Sequence, residues 1–240
     1  MAQDAMSIVE PFLKSLDAAV GGRYTAVLHG SAARGTWIPG VSDVNLLLVL
    51  EDASPATLRA LAQAFDTWRR VNQPPPLLLT QAEWRRSADV FALEITDMKT
   101  AYKVLRGPDV VAGVTVQKRD LRRALEREFR GKLLQLRRGY VALAGDTAAL
   151  GLLGQSSSAT ILVLLRGLLA LLNDTVPADD GDVVARAAEQ VGFAAAQVRA
   201  FSDHRADKKL RATREQFEQY LGAVEKTAQY VDQLQLENNA

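Results

Sequence analysis

The feature that most constrains this chain is a change of periodicity near residue 117. Before it, short β-rich apolar runs alternate with segments of helical spacing; after it, every periodic segment is helical. A chain of 240 residues can bury a core on each side of such a break. The expected organisation is one domain over residues 1–116 and a second, all-helical domain over 117–240.

In the first part, residues 5–20 have the spacing of an opening helix, and YTAVLHG (24–30) that of a strand ending in glycine. VNLLLVL (44–50) is a near-continuous apolar run, as expected of a strand buried on both faces. Ser54 and Pro55 are an N-cap and first-turn pair for a helix carrying Leu58, Leu61, Ala62, Phe65 and Trp68 at helical spacing. NQPPP (72–76) stops that helix, and LLL (77–79) reads as a third strand. Thr80 and Glu83 fit a capping box. FALEIT (91–96) alternates apolar and polar residues, which predicts a fourth, half-exposed strand. Strands alternating with helices make this an α/β or α+β domain.

The second part opens on an amphipathic helix over 119–144 with the stripe Leu121, Leu125, Phe129, Leu133, Leu136 and Tyr140. Nine basic residues lie within 117–138, interleaved with Asp120, Glu126 and Glu128, and are expected to form a solvated face. ATILVLLRGLLALL (159–172) is too short to span a bilayer and contains Arg166, so it reads as a buried helix. Further helices are expected over 182–200 and 208–235, giving an antiparallel bundle, with ENNA at the end frayed.

Global charge adds little: 29 basic residues against 28 acidic ones give no pull toward nucleic acid or membrane. The absence of cysteine excludes disulfide, zinc-thiolate and thiol chemistry. The first residues, MAQDAMSIVEPFLKSL, lack the basic start and apolar run of a signal peptide, so a soluble, cytoplasmic protein is expected.

The chemistry is concentrated in LHGSAARGTWIPGVSDVNLLLVL, residues 28–50. Gly30 and Ser31 follow a strand, where backbone N–H groups can meet phosphate oxygens. Ser42 and Asp43 open the next strand, and Asn45 lies on the same face as Asp43, two residues on. Backbone donors for a triphosphate beside oxygen ligands for Mg²⁺ are the layout that phosphoryl transfer needs.

This stretch resembles the signature of the nucleotidyltransferase fold superfamily, with the aminoglycoside-adenylylating enzymes and the minimal nucleotidyltransferases as the nearest-looking members. The matching residues are Gly30-Ser31, the linker Ala32-Ala33-Arg34-Gly35, and Ser42-Asp43-Val44-Asn45-Leu46. The resemblance implies an α+β fold: an N-terminal mixed sheet with flanking helices, followed by a C-terminal all-α helical bundle. It implies a nucleotide-binding set of Gly30, Ser31, Arg34 and Ser42, and Mg²⁺ held by Asp43 and Asn45. It also implies transfer of a nucleotidyl group from an NTP, with ATP expected, to an acceptor held between the two domains.

Two departures qualify it. Asn45 stands where the family has a second carboxylate, which removes one full negative charge. The third strand, PLLLT (76–80), carries no acid, so Glu94 is the assigned third catalytic group beside Asp43 and Asn45, with Asp97 as its alternative. Arg34 is expected at the surface, and His29 as a partly buried, hydrogen-bonded histidine. A second reading is therefore an impaired enzyme that serves as a nucleotide-binding or interaction module. A third rests on Arg199 and His204, which resemble the Arg-x4-His pair of HEPN ribonucleases and would need a homodimer to act.

Overall fold

The structure is a computed structural model that describes residues 4–235. The chain divides into two compact units, residues 1–115 and 116–240.

The first unit contains α1 (Ala5–Val20), β1 (Tyr24–His29), α2 (Ser31–Arg34), β2 (Asn45–Leu50), α3 (Pro55–Arg69), β3 (Leu77–Thr80), α4 (Gln81–Arg85), α5 (Ala92–Thr100) and β4 (Tyr102–Arg106). Its sheet has the order β3-β2-β1-β4. β1 runs antiparallel to both β2 and β4, and β3 runs parallel to β2. Alternation sorts the central strands into two faces. Tyr24, Ala26, Leu28, Leu46, Leu48 and Leu50 share one apolar cluster with Phe12 and Leu16 of α1 and Leu61 and Trp68 of α3. The ring of Phe12 lies 5.3 Å from that of Phe65 and 4.8 Å from that of Trp68. The intervening residues Thr25, Val27, Leu47 and Val49 are buried as well, which explains the unbroken apolar run in β2. Each such leucine contributes roughly 2 kcal/mol by leaving water.

Local signals set the ends of the elements. Ser54 caps α3 with Pro55 in its first turn, and Thr80 and Glu83 close a reciprocal capping box on α4. The stripe on α3 is narrower than its spacing predicts: Leu58 and Ala62 are exposed, and Ala64 is buried in their place.

The expected strand over 91–96 is absent. Residues 92–100 form α5, which buries Ala92, Leu93, Ile95, Asp97 and Met98. Six alternating residues do not separate the two periods, and Ala, Leu, Glu and Met favour a helix. The fourth strand is instead Tyr102–Arg106, fastened by Arg106 to Glu10 and Asp17 of α1, each at 3.1 Å.

The second unit contains α6 (Lys118–Leu143), α7 (Thr147–Leu171), α8 (Asp180–Val191), α9 (Ala195–Ser202) and α10 (Arg214–Gln233). The apolar segment read as 159–172 belongs to the longer α7, whose length and composition would suffice to cross a bilayer. Half of its most apolar window is buried inside the protein, and Arg166 within it pairs with Asp180 of α8. The single helix expected over 182–200 is two, because Gly192 at φ 82° turns the chain out of α8. ENNA lies outside the described residues.

Two glycines on α6 and α7 have opposite roles. A Cβ on Gly151 would lie 2.3 Å from the carbonyl oxygen of Leu210, whereas one on Gly131 would meet nothing within 4 Å. Gly151→Ala is expected to destabilise the unit by about 1–3 kcal/mol through overpacking. Gly131→Ala is expected to stabilise it by up to about 1 kcal/mol through helix propensity. Urea unfolding of the two variants should show midpoints displaced in opposite directions.

Candidate nucleotide site in the first unit

The pairing of β1 with β2 places His29 directly opposite Asn45 and Leu28 opposite Leu46. The chain leaves β1 through Gly30, at φ 71° and ψ −149°, a conformation open only to glycine without strain. Space imposes a second demand there: a Cβ at residue 30 would lie 3.0 Å from the side-chain nitrogen of Asn45. Gly30 and Asn45 are therefore packed against each other, and the short helix α2 starts from that contact. Gly30 accepts backbone hydrogen bonds from Ala33 at 3.1 Å and Arg34 at 3.0 Å. The first N–H groups of the turn have no intrahelical acceptor, which suits an anion at the glycine-serine corner. Ser31 sits there, half-buried.

The linker from α2 to β2 is self-anchored. The indole of Trp37 donates to the carbonyl of Ser42 at 2.8 Å, and the Ser42 hydroxyl accepts from the Ile38 N–H at 3.1 Å. Ser42 thus has a structural task within the loop. Val44 N–H is held by the side-chain oxygen of Gln73 at 2.7 Å, which fixes the start of β2. Asp43, between these anchors, is exposed at the mouth of the strand.

Arg34 departs from its expected surface position. Its side chain is only 6% exposed and pairs with both carboxylate oxygens of Asp97 at 3.4 Å, while Thr100 accepts from its Nη1 at 2.6 Å. Asp97 is itself buried on α5. The Nε of Arg34 is buried with no hydrogen-bond partner among the described residues. Glu94 is exposed on α5 and does not extend from a sheet strand as the sequence suggested. Sequence reading missed the Arg34–Asp97 pair; the only local signal was an arginine at the end of a four-residue helix.

His29 lies close enough to this pair to sense it. Burial pushes its imidazole down to about 4, with Asp97 opposing the shift and Arg34 adding to it. The ring is therefore neutral at pH 7. On β3, Leu77 pairs with Leu47, so it lies on the face shared by Asn45 and Leu47. The side chain that β3 presents on that face there is apolar.

The resemblance implies a divalent metal at this strand mouth, so the donors have to be weighed. At the mouth they are one exposed carboxylate, Asp43, and one neutral amide, Asn45. Asp97 is committed to Arg34. Among the described residues no group of three or more His, Cys, Asp or Glu side chains is placed to hold an ion. This set does not fit a protein-held divalent-metal centre, which depends on anionic oxygen ligands.

Residues 7–101, which span β1 to β3 of this sheet and the glycine-serine corner, match the family model of the nucleotidyltransferase domain. A particular solved structure shares the fold: spectinomycin adenyltransferase AAD(9) from Enterococcus faecialis, with ATP and spectinomycin. The match has a TM-score of 0.55 and 11% identity, covering 92% of this chain and 99% of that one. No curated protein sequence matches the chain.

In the second unit, Arg199 is on α9 and pairs with Asp203 at 2.9 Å, whereas His204 lies beyond the helix end.

Two outcomes test the buried cluster. Asp97→Ala leaves the Arg34 guanidinium buried without its carboxylate and is expected to cost roughly 3 kcal/mol or more, measured by chemical denaturation. The folded-state His29 ionises near 4 and the unfolded one near 6.5, so the unfolded chain binds the extra proton between those values. His29 thus leaves stability intact above about pH 6.5 and lowers it on acidification toward pH 4, by at most about 1.4 kcal/mol per pH unit. Unfolding series at pH 7, 6 and 5 should show His29→Gln losing less stability on acidification than the parent.

Proposed function

We propose that the first unit is a nucleotidyltransferase-type site that binds an NTP at the Gly30–Ser31 corner and carries out transfer weakly or not at all. The observation that carries this reading is the row at the strand mouth. Gly30 is packed on Asn45, the family's second carboxylate position is a neutral amide, and Leu77 is apolar on the same face. The corner supplies backbone donors for phosphate oxygens, which supports binding. The donor set supplies little to activate an attacking acceptor, which argues against rapid chemistry.

A second reading is supported by the fold match along most of the chain to AAD(9), whose structure holds ATP and spectinomycin. By analogy, an acceptor oxygen would form a bond to the α-phosphorus while the bond to the bridging oxygen breaks. Pyrophosphate would leave, and the acceptor proton would pass to a base or to water. Exposed Glu94 is the candidate base named from sequence, but its place on α5 gives no support for that role.

Calorimetric titration with ATP and GTP, paired with a pyrophosphate-release assay over a panel of aminocyclitol and aminoglycoside acceptors, separates the readings. The expected result is saturable nucleotide binding without acceptor-dependent pyrophosphate release. Gly30→Val, which strains the corner and collides with Asn45, should lower affinity at least about tenfold, or 1.4 kcal/mol. Release of pyrophosphate on addition of one acceptor would establish the transferase reading instead.

A further inference from the structure

The electrostatics of the strand mouth deepen the proposed nucleotide-binding reading, on which this inference rests. Two carboxylates facing a triphosphate repel it, and a divalent cation between them removes the repulsion; the need for the cation scales with the carboxylate charge. Here that charge is small. Asp43 is the one acid at the start of β2, and it is exposed, so water screens it. Asn45, opposite His29 and against Gly30, contributes an uncharged amide with two N–H donors. Leu77 contributes nothing ionic. The nearby acid on α5, Asp97, is matched by Arg34, which is 6% exposed and retains a buried Nε with no partner among the described residues.

The site is thus poor in anionic ligands for a cation and supplied with neutral donors for an anion. We propose that the first unit binds its NTP as the metal-free anion, through the Gly30–Ser31 corner and the Asn45 amide. Asp43 then acts as a residual repulsive charge and not as a ligand. This assigns Asn45 a role in selecting the ligand species: an amide accepts the bare triphosphate, whereas a second carboxylate would accept only its metal complex.

The two arrangements predict opposite signs for one substitution, which makes the test direct. ATP is titrated calorimetrically into the full-length protein in Mg²⁺ and in EDTA, for the parent, Asp43→Asn and Asn45→Asp. Thermal unfolding of each variant checks the fold; both positions are polar, and Asp43 is exposed. The expected result is parent affinity that agrees within about threefold between the two buffers, and a three- to tenfold gain for Asp43→Asn in EDTA from removal of a like charge, to order of magnitude. Asn45→Asp should lose binding in EDTA and regain it with Mg²⁺. Parent binding that requires Mg²⁺ and disappears in Asp43→Asn would overturn the inference while leaving nucleotide binding in place. Absence of parent binding in both buffers would remove the nucleotide-binding reading itself, and this inference with it.

Discussion

The antiparallel pairing of Tyr24–His29 with Asn45–Leu50 governs the first unit. It places β1 and β2 at the centre of the sheet, with β4 beside one and β3 beside the other. Both strands are buried on both faces, and they pair in continuous register from Tyr24 opposite Leu50. That register ends at His29 opposite Asn45, and the chain must turn away at once. Only glycine satisfies both the positive φ and the short approach to Asn45 at this point. The glycine-serine corner is therefore a consequence of how the central hairpin closes, as well as a surface suited to phosphate.

Charge near this corner is sparse and paired. β2 carries an amide at Asn45 and β3 a leucine on the same face, while a carboxylate on α5 is buried against a guanidinium on α2. A buried pair of this kind adds little net stability because desolvation offsets most of its attraction, but it fixes geometry, since either partner alone is costly. It ties α2 to α5 at the side of the corner, while burial, against the opposing pull of Asp97, keeps the His29 imidazole neutral.

Much of the architecture was legible because it is written locally. The apolar run of β2, the Ser54–Pro55 start of α3 and the Thr80–Glu83 box each depend on residues a few positions apart. The false strand at 91–96 shows the limit of such reading. Six alternating residues satisfy a sheet period by chance, and the next four, Asp97 to Thr100, complete a helix. The long α7 was blurred for a related reason: a helix buried on most sides loses the amphipathic contrast that marks its ends.

The sequence by itself determined the change from mixed to all-helical segments, the apolar runs of β1 and β2, and the amide at position 45, since residue identity and short-range periodicity carry these. It also showed that β3 has no acid. Tertiary structure alone decided which residue sits beside which. It set Leu77 level with Leu47 through a parallel pairing, and buried Arg34 against Asp97 across a separation of 63 residues. It left Glu94 outside, on a helix. Burial and ionisation belong to a side chain's surroundings, and those surroundings come from segments distant in the chain, so no local pattern encodes them.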